Sequence, residues 1–296
     1  MSNVEIIDRT TYHRGGRTGI LLIHGLGGTP VEVRYVAQGL ARAGFTVYCC
    51  QLAGHCGTAD DLSHSTWKDW VASVEAAHDK LKEDCDIILA GGLSTGSLLA
   101  LELAHRRPNE VHGLTLFSPS IYLDGWAMPW YMKWLHYVRP TIHLPFNLTE
   151  REPYGLKDER IRAMVVKGMQ SGDAQQTGYF FTPLMTMLHF NSLAARVRRK
   201  LDAIATPTLI LHPREDDVAS LNNALEIQEK MAGLVELIVL EDTYHMITLD
   251  KQRGLVVDRT RAFAESIERA HTTAVGDRSV KSEAKAGSRA NRRSGG

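Results

Sequence analysis

The segment Gly92-Leu93-Ser94-Thr95-Gly96 has the pattern of a reactive serine held in a sharp turn. It follows an apolar run at residues 87–90 and precedes leucines at helical spacing, so Ser94 falls between a predicted strand and a predicted helix. Glycines two residues before and two residues after leave room for a strained turn that exposes the hydroxyl. Such five-residue matches also arise by chance, and the alternative is a glycine-rich turn with an incidental serine. The strand–turn–helix setting favours a nucleophile.

A nucleophilic serine needs two partners, because its hydroxyl is a weak nucleophile at neutral pH. A base must take its proton, and an acid must orient that base. Of the thirteen histidines, His245 comes shortly after the predicted strand 235–240. Parallel strands end at the same edge of a sheet, where ligands bind, so His245 is predicted to lie at the edge that holds Ser94. The alternative is a histidine in a surface loop.

Three adjacent carboxylates, Glu215, Asp216 and Asp217, follow another predicted strand and provide candidates for the acid. Only one of them can point at the imidazole. Its neighbours are predicted to face solvent.

A site for acyl transfer also needs N–H donors aimed at the oxygen on which charge develops. One predicted donor is the backbone N–H of Thr95, the residue after the serine. The other is the backbone N–H of Leu26 in the turn at residues 24–28, whose glycines allow close backbone approach. His24 in this turn is predicted to brace the loop rather than react, and His55 in the loop 53–57 is interpreted as structural too.

Strands and helices are predicted to alternate along most of the chain. The first helix has a clear start, in which Thr29 is the N-cap, Pro30 takes the first helical position and Glu32 completes a capping box. Continuous apolar strands joined by helices predict a mainly parallel sheet covered by helices on both faces. The predicted strands are residues 19–24, 45–50, 86–90, 111–117, 206–211 and 235–240, and the predicted helices begin near residues 29, 66, 95, 221 and 253.

The alternation stops between residues 118 and 204, where helical patterns appear only at 158–170 and 182–197. Because a structureless loop of this length is uncommon in a compact domain, we expect an inserted helical cap, or lid, over the strand ends. Residues 1–117 and 205–271 then form the core. The tryptophans Trp126, Trp130 and Trp134 either line an apolar substrate pocket or form the core of the cap itself.

The composition argues against several classes of protein. Thirty-four Lys and Arg balance 34 Asp and Glu, so no net charge attracts nucleic acid or an anionic membrane. No apolar run is long enough for a membrane helix, and the first residues lack the features of a signal peptide. The four cysteines lack metal-ligand spacing and are predicted to be reduced thiols in a cytoplasmic protein, with Cys49 and Cys50 on opposite faces of a strand.

Residues 272–296 differ from the rest because they offer little to bury and carry an excess of basic residues. Such a segment is predicted to be disordered, since burial cannot offset its ordering entropy. Contact with RNA or an acidic partner is the less favoured alternative. Nothing in the sequence marks an oligomeric state.

Together these motifs resemble the α/β-hydrolase superfamily over nearly all of residues 15–270, and the chain is similar to bacterial carboxylesterases and monoacylglycerol lipases. The matching segments are residues 21–28, 53–57, 92–96, the loop around Asp216 and residues 245–250. The order serine, acid, histidine along the chain is that of this superfamily. In the family pattern H-G-x-x-D-x-V the acid stands two residues before an apolar residue, so Val218 assigns the role to Asp216. Two residues depart from the family, because Pro213 and Tyr244 stand where glycine is usual.

The resemblance implies an α/β-hydrolase fold and a serine hydrolase that cleaves carboxylic (acyl) esters of small molecules through an acyl-enzyme at Ser94. His245 is then the base and Asp216 the acid that orients it, with no metal or organic cofactor. Thioester hydrolysis and acyl transfer use the same residues and stay open. A non-catalytic ligand-binding protein with this fold is a further alternative.

Overall fold

The computed structural model describes residues 7–132, 147–149, 151–170 and 181–291, and their side chains except those of 169–170 and 274–291. The strands are β1 (Thr11–His13), β2 (Thr18–Ile23), β3 (Thr46–Cys50), β4 (Ile87–Leu93), β5 (Gly113–Phe117), β6 (Asn147–Thr149), β7 (Phe181–Pro183), β8 (Thr208–Pro213) and β9 (Val235–Leu240). The helices are α1 (Arg34–Arg42), α2 (Ala59–His64), α3 (Trp67–Lys82), α4 (Thr95–Arg106), α5 (Glu159–Gln170), α6 (Leu184–Arg198), α7 (Asn222–Lys230) and α8 (Arg253–Asn291), with short 3₁₀ helices at Pro30–Val33 and Leu201–Ala203.

Seven strands form one sheet in the order β1-β3-β2-β4-β5-β8-β9. Only β1 runs antiparallel to its neighbour, β3, and the remaining pairs are parallel. The register pairs Ile23 with Gly92 and Leu93 with Phe117. The carboxyl ends of the central strands β2, β4 and β5 therefore meet at one edge, as expected for a parallel sheet.

Helices cover both faces of the sheet, which confirms the predicted layering. One apolar core joins the sheet to α3, α4, α6 and α7 through residues such as Trp70, Leu101 and Phe190. The other joins the opposite face to α1 and α8 through residues such as Leu40. Adjacent Cys49 and Cys50 point into different cores, as the two-residue period of a strand demands.

The predicted strands and helices are present within a few residues of their expected bounds. The structure adds two elements of the core that the sequence patterns did not predict, the short edge strand β1 and the one-and-a-half-turn helix α2. Helix α2 has its own capping box, in which Thr58 and Asp61 bond each other's backbone. Both elements are too short to show a clear apolar period.

The segment 118–204 contains more than helices. Helix α6 packs against α2, α3 and α4, and β6 pairs antiparallel with β7 in a separate two-stranded ribbon. The division of the chain into a core and an inserted cap stays a prediction at this point.

The last helix, α8, continues along the backbone to Asn291 and so enters the segment for which the composition predicted disorder. The prediction for residues 272–296 rests on composition alone and stays a prediction. Within the described residues, each helix is too short or too polar to cross a lipid bilayer.

Candidate active site

Ser94 occupies the predicted turn between β4 and α4, and its backbone is strained, with φ +54° and ψ −113°. The turn is held because the Ser94 N–H donates to the Phe117 carbonyl at 2.9 Å. A Cβ atom on Gly92 would lie 2.5 Å from the carbonyl oxygen of Ile23, and one on Gly96 would overlap the same oxygen. Both glycines are therefore required by close packing of β2 against the turn.

His245 and Asp216 form a buried pair at the same edge of the sheet. The Nδ1 atom of His245 lies 3.0 Å and 2.9 Å from the two carboxylate oxygens of Asp216. Asp216 Oδ1 also accepts the N–H groups of Val218 and Ala219, each at 2.8 Å. The acid is thus fixed by its own loop while it holds the imidazole, which is the arrangement that a triad requires.

The pair shifts the ionisation of both groups. Burial opposes the charged form of Asp216, but the charge and hydrogen bond of His245 hold the pKa of this carboxyl below its usual value. Burial favours the neutral form of His245, but the charge and hydrogen bond of Asp216, helped by Asp217 and Glu32, raise the pKa of the imidazole. His245 is therefore a stronger base than a free imidazole.

A serine-rich turn after β5 contacts both Ser94 and His245. Ser94 Oγ lies 3.1 Å from Ser120 Oγ, and Ser120 Oγ donates to the Ser118 carbonyl at 3.1 Å. Ser118, with φ +45°, donates from its hydroxyl to the His245 carbonyl at 2.7 Å. Among the described residues the Ser94 hydroxyl thus pairs with Ser120 and not with His245. Sequence reasoning missed this turn, although its place after a central strand could have indicated it.

The N–H groups of the turn at residues 24–28 have distinct partners. Gly25 N–H donates to Glu32 Oε2 at 2.8 Å, and Gly27 N–H donates to His55 Nε2 at 3.2 Å. The side chain of Glu32, predicted to complete a capping box with Thr29, thus supports this turn. Leu26 lies between the two bonded glycines.

Leu26 and Thr95 both line one cavity together with Ser94 and His245. The predicted N–H donors therefore belong to residues that face the space beside the nucleophile.

His24 and His55 are buried and brace this part of the molecule, as predicted. His24 Nδ1 lies 2.8 Å from the Gly25 carbonyl, and its Nε2 accepts the N–H of Leu52 at 3.2 Å. Burial lowers the pKa of His24 to about 3 and that of His55 to about 4. Both imidazoles are neutral at physiological pH and hold the loops by hydrogen bonds.

The prediction that the neighbours of Asp216 face solvent is correct for Glu215 and wrong for Asp217. Glu215 is exposed and pairs with Lys157 at 3.1 Å. Asp217 is only 1% exposed, and its carboxylate accepts the N–H groups of His245 at 3.2 Å and Gly155 at 2.8 Å. Residues 153–158, from the segment 118–204, cover the loop that contains Asp216 and Asp217. The local spacing of the carboxylates could not indicate that Asp217 contacts this segment.

The cavity beside Ser94 has a volume of about 270 Å³ and is lined mainly by apolar side chains. Residues from the segment 118–204 form most of its wall opposite the sheet. They include Leu123, Met128, Tyr131, Met132, Leu148, Leu156, Met187 and Phe190.

The predicted tryptophans are placed differently. Trp126 is 60% exposed, with its indole N–H on the Glu215 carbonyl and its ring against Tyr244. Trp130 is 75% exposed. Neither belongs to the described residues that line the cavity, so methionine, leucine and tyrosine side chains line it instead. Trp134 lies outside the described residues.

One cluster of possible metal ligands is found among the described residues, at His78, Asp79 and Glu110. Glu110 already pairs with the ammonium of Lys82 at 2.7 Å. The cluster lies late in α3 and just before β5, at the amino ends of the strands, and so away from the edge that holds Ser94.

Comparisons with known proteins show the family of this chain and proteins that are similar to it. The family model described as Serine aminopeptidase, S33 matches residues 16–252. A thermostable monoacylglycerol lipase from Bacillus sp. (strain H-257) is 30% identical over 253 residues, which cover 85% of this chain and 92% of the lipase. A carboxylesterase from Bacillus subtilis (strain 168) is 27% identical over 257 residues, which cover 86% of this chain and 95% of the esterase.

Solved structures confirm the predicted α/β-hydrolase fold. One, from work on the metagenome-derived lipolytic enzymes LipS and LipT, has a TM-score of 0.75 at 29% identity and covers 90% of this chain and 99% of that one. The monoacylglycerol lipase of Paleococcus ferrophilus has a TM-score of 0.72 at 19% identity and covers 88% of this chain and 98% of that one. The second likeness shows the fold alone.

Proposed function

The chain belongs to the serine aminopeptidase S33 family. Within this family, we propose that it is a serine hydrolase that cleaves carboxylic esters. The observation that carries the proposal is the buried His245–Asp216 pair beside a strained Ser94, at the edge of an apolar cavity. The similarity of the chain to a carboxylesterase and a monoacylglycerol lipase supports esters as the substrate class. Four buried, free cysteines support a reducing, cytoplasmic location.

Catalysis begins when the Ser94 hydroxyl turns from Ser120 to the imidazole of His245. His245 takes the proton as Ser94 Oγ attacks the acyl carbon, and it then protonates the leaving alcohol. Water activated by the same imidazole releases the acid. Asp216 keeps the Nδ1–H tautomer in place and stabilises the imidazolium.

The backbone N–H groups of Leu26 and Thr95 stabilise the oxyanion of each tetrahedral intermediate. Glu32 and His55 support this role, because they hold the glycines on either side of Leu26. The donors are thereby fixed before the substrate binds, and no reorganisation opposes charge development.

The segment 118–204 acts as a cap that shapes the acyl site. Its apolar side chains face Ser94 across the cavity, so the acyl chain of the ester binds against them. The substrate is therefore a small-molecule ester with an apolar acyl group.

Hydrolysis of p-nitrophenyl butyrate by wild-type protein and by Ser94→Ala tests the proposal. We expect turnover by the wild type and a loss of about 10⁴-fold or more in the variant. A butyryl thioester and an aminoacyl p-nitroanilide are assayed in parallel. Faster turnover of either one than of the oxygen ester would contradict the proposed substrate class.

A further inference from the structure

Asp217 contacts the backbone of two separate segments beside the active site, the histidine loop and the segment 118–204. One carboxylate oxygen accepts the N–H of His245 and the other accepts the N–H of Gly155. The Asp217 carbonyl also accepts the N–H of Ala127 at 3.0 Å. A single buried residue thus joins the histidine loop to two parts of the segment 118–204.

The backbone around Gly155 lies directly on the histidine loop. The Gly155 carbonyl accepts the N–H of Met246 at 2.8 Å. Gly155 has φ +71°, and a Cβ there would lie 3.2 Å from the His245 Cβ. The position of the His245 backbone therefore depends on this contact.

Asp250 makes a second contact of the same kind. Its buried carboxylate accepts the N–H groups of Lys157 at 2.9 Å, Asp158 at 2.8 Å and Tyr244 at 2.9 Å. Two buried acids therefore fix residues 155–158 against residues 243–246. Of these two acids, Asp250 bonds Thr243 and Tyr244 next to the histidine, whereas Asp217 bonds the backbone N–H of His245 itself.

The charge of Asp217 faces His245. Asp216 bonds the imidazole at Nδ1, and Glu32 adds a weaker negative charge. His212 Nε2 lies 3.5 Å from Asp216 Oδ2. Burial, together with the charge of Asp216, raises the pKa of Asp217 against the attraction of His245. A buried carboxylate whose hydrogen-bond partners are neutral N–H groups is stabilised when a positive charge forms beside it. In the proposed reaction that charge is the imidazolium.

We propose that Asp217 is a positioning residue, which fixes the His245 backbone against residues 153–158 and stabilises the protonated imidazole during turnover. This rests on the proposed esterase function. It assigns to the second aspartate a role separate from that of Asp216, which holds the ring.

Asp217→Asn tests the role, with Glu215→Gln as the matched control two residues away. The amide keeps one acceptor but turns a donor toward the other N–H, and it removes the charge. We expect kcat for p-nitrophenyl butyrate to fall about 10- to 100-fold with KM changed far less. The acid limb of the kcat/KM profile should move to lower pH, because a negative charge near His245 is lost. The control should keep the wild-type kcat and profile.

Asp217→Ser is measured in parallel, because it also removes the charge and leaves room for water. Folding of each variant is checked by its thermal transition. A folded variant with wild-type kcat and an unmoved acid limb would overturn the proposal, and so would failure of both variants to fold, which would make Asp217 a residue of the fold only. Absence of esterase activity in the wild type would instead count against the proposed function.

Discussion

Asp216 and Asp217 are consecutive and both buried, yet they contact different parts of His245. Asp216 meets the ring at Nδ1, whereas Asp217 meets the backbone N–H. Loss of the ring contact affects the tautomer that performs proton transfer, whereas loss of the backbone contact affects the position of His245 and removes a nearby negative charge.

We expect Asp216→Asn to lower kcat by about 10⁴-fold, far more than Asp217→Asn. The amide presents the wrong hydrogen-bonding group to Nδ1 or favours the wrong tautomer. Steady-state kcat values of both variants for p-nitrophenyl butyrate, with Glu215→Gln as the control, check which loss is larger. If Asp217→Asn were the more damaging change, the assignment of the acid would be off by one residue.

The pH dependence of activity follows from the raised pKa of His245. Only the neutral imidazole can accept the Ser94 proton, so kcat/KM should rise with pH and level off above that raised pKa. The midpoint should lie above the value of a free imidazole, because Asp216 stabilises the charged form. A profile without an acid limb, measured where acylation limits the rate, would contradict His245 as the base.

Among the elements, the β4–α4 turn depends on two glycines more than on any side chain. Gly96→Ala places a Cβ on the Ile23 carbonyl, where the backbone of a central strand has no freedom to move. We expect a lower thermal midpoint and strongly reduced esterase activity. Gly254→Ala is the control, since a Cβ there meets nothing within 4 Å and stability should be unchanged or slightly raised. Equal midpoints for the two variants would contradict the packing argument.

The elements that the sequence could predict are those whose signals are local. The turn at Ser94, the helix that begins near residue 66 and the strand ends that place His245 all follow from short-range patterns. The burial of Asp217 and the contact of Ser120 with Ser94 depend on segments far apart in the chain. No period or spacing encodes such contacts. The place of Ser120 after a central strand is the one signal that the sequence offered for it, and for Asp217 there was none.

For the whole molecule, the described apolar side chains of the segment 118–204 that line the cavity predict chain-length selectivity. Each methylene buried gains about 0.8 kcal/mol, so kcat/KM should rise about fourfold per acyl carbon until the cavity is full. Met187→Trp places a larger side chain in the wall and narrows the cavity, so the acyl length with the highest kcat/KM should become shorter. Trp130→Ala, at an exposed position, should leave it unchanged. A wild-type kcat/KM that falls from acetate onward would rule out the acyl site.

Ser94, activated by His245, is the proposed nucleophile. Reaction with a fluorophosphonate, followed by peptide mass spectrometry, tests it directly, because only an activated serine forms the adduct. We expect one adduct, on Ser94, in the wild type, and loss of labelling in both Ser94→Ala and His245→Ala. An adduct on Ser118 or Ser120, or undiminished labelling of Ser94→Ala, would contradict Ser94 as the nucleophile.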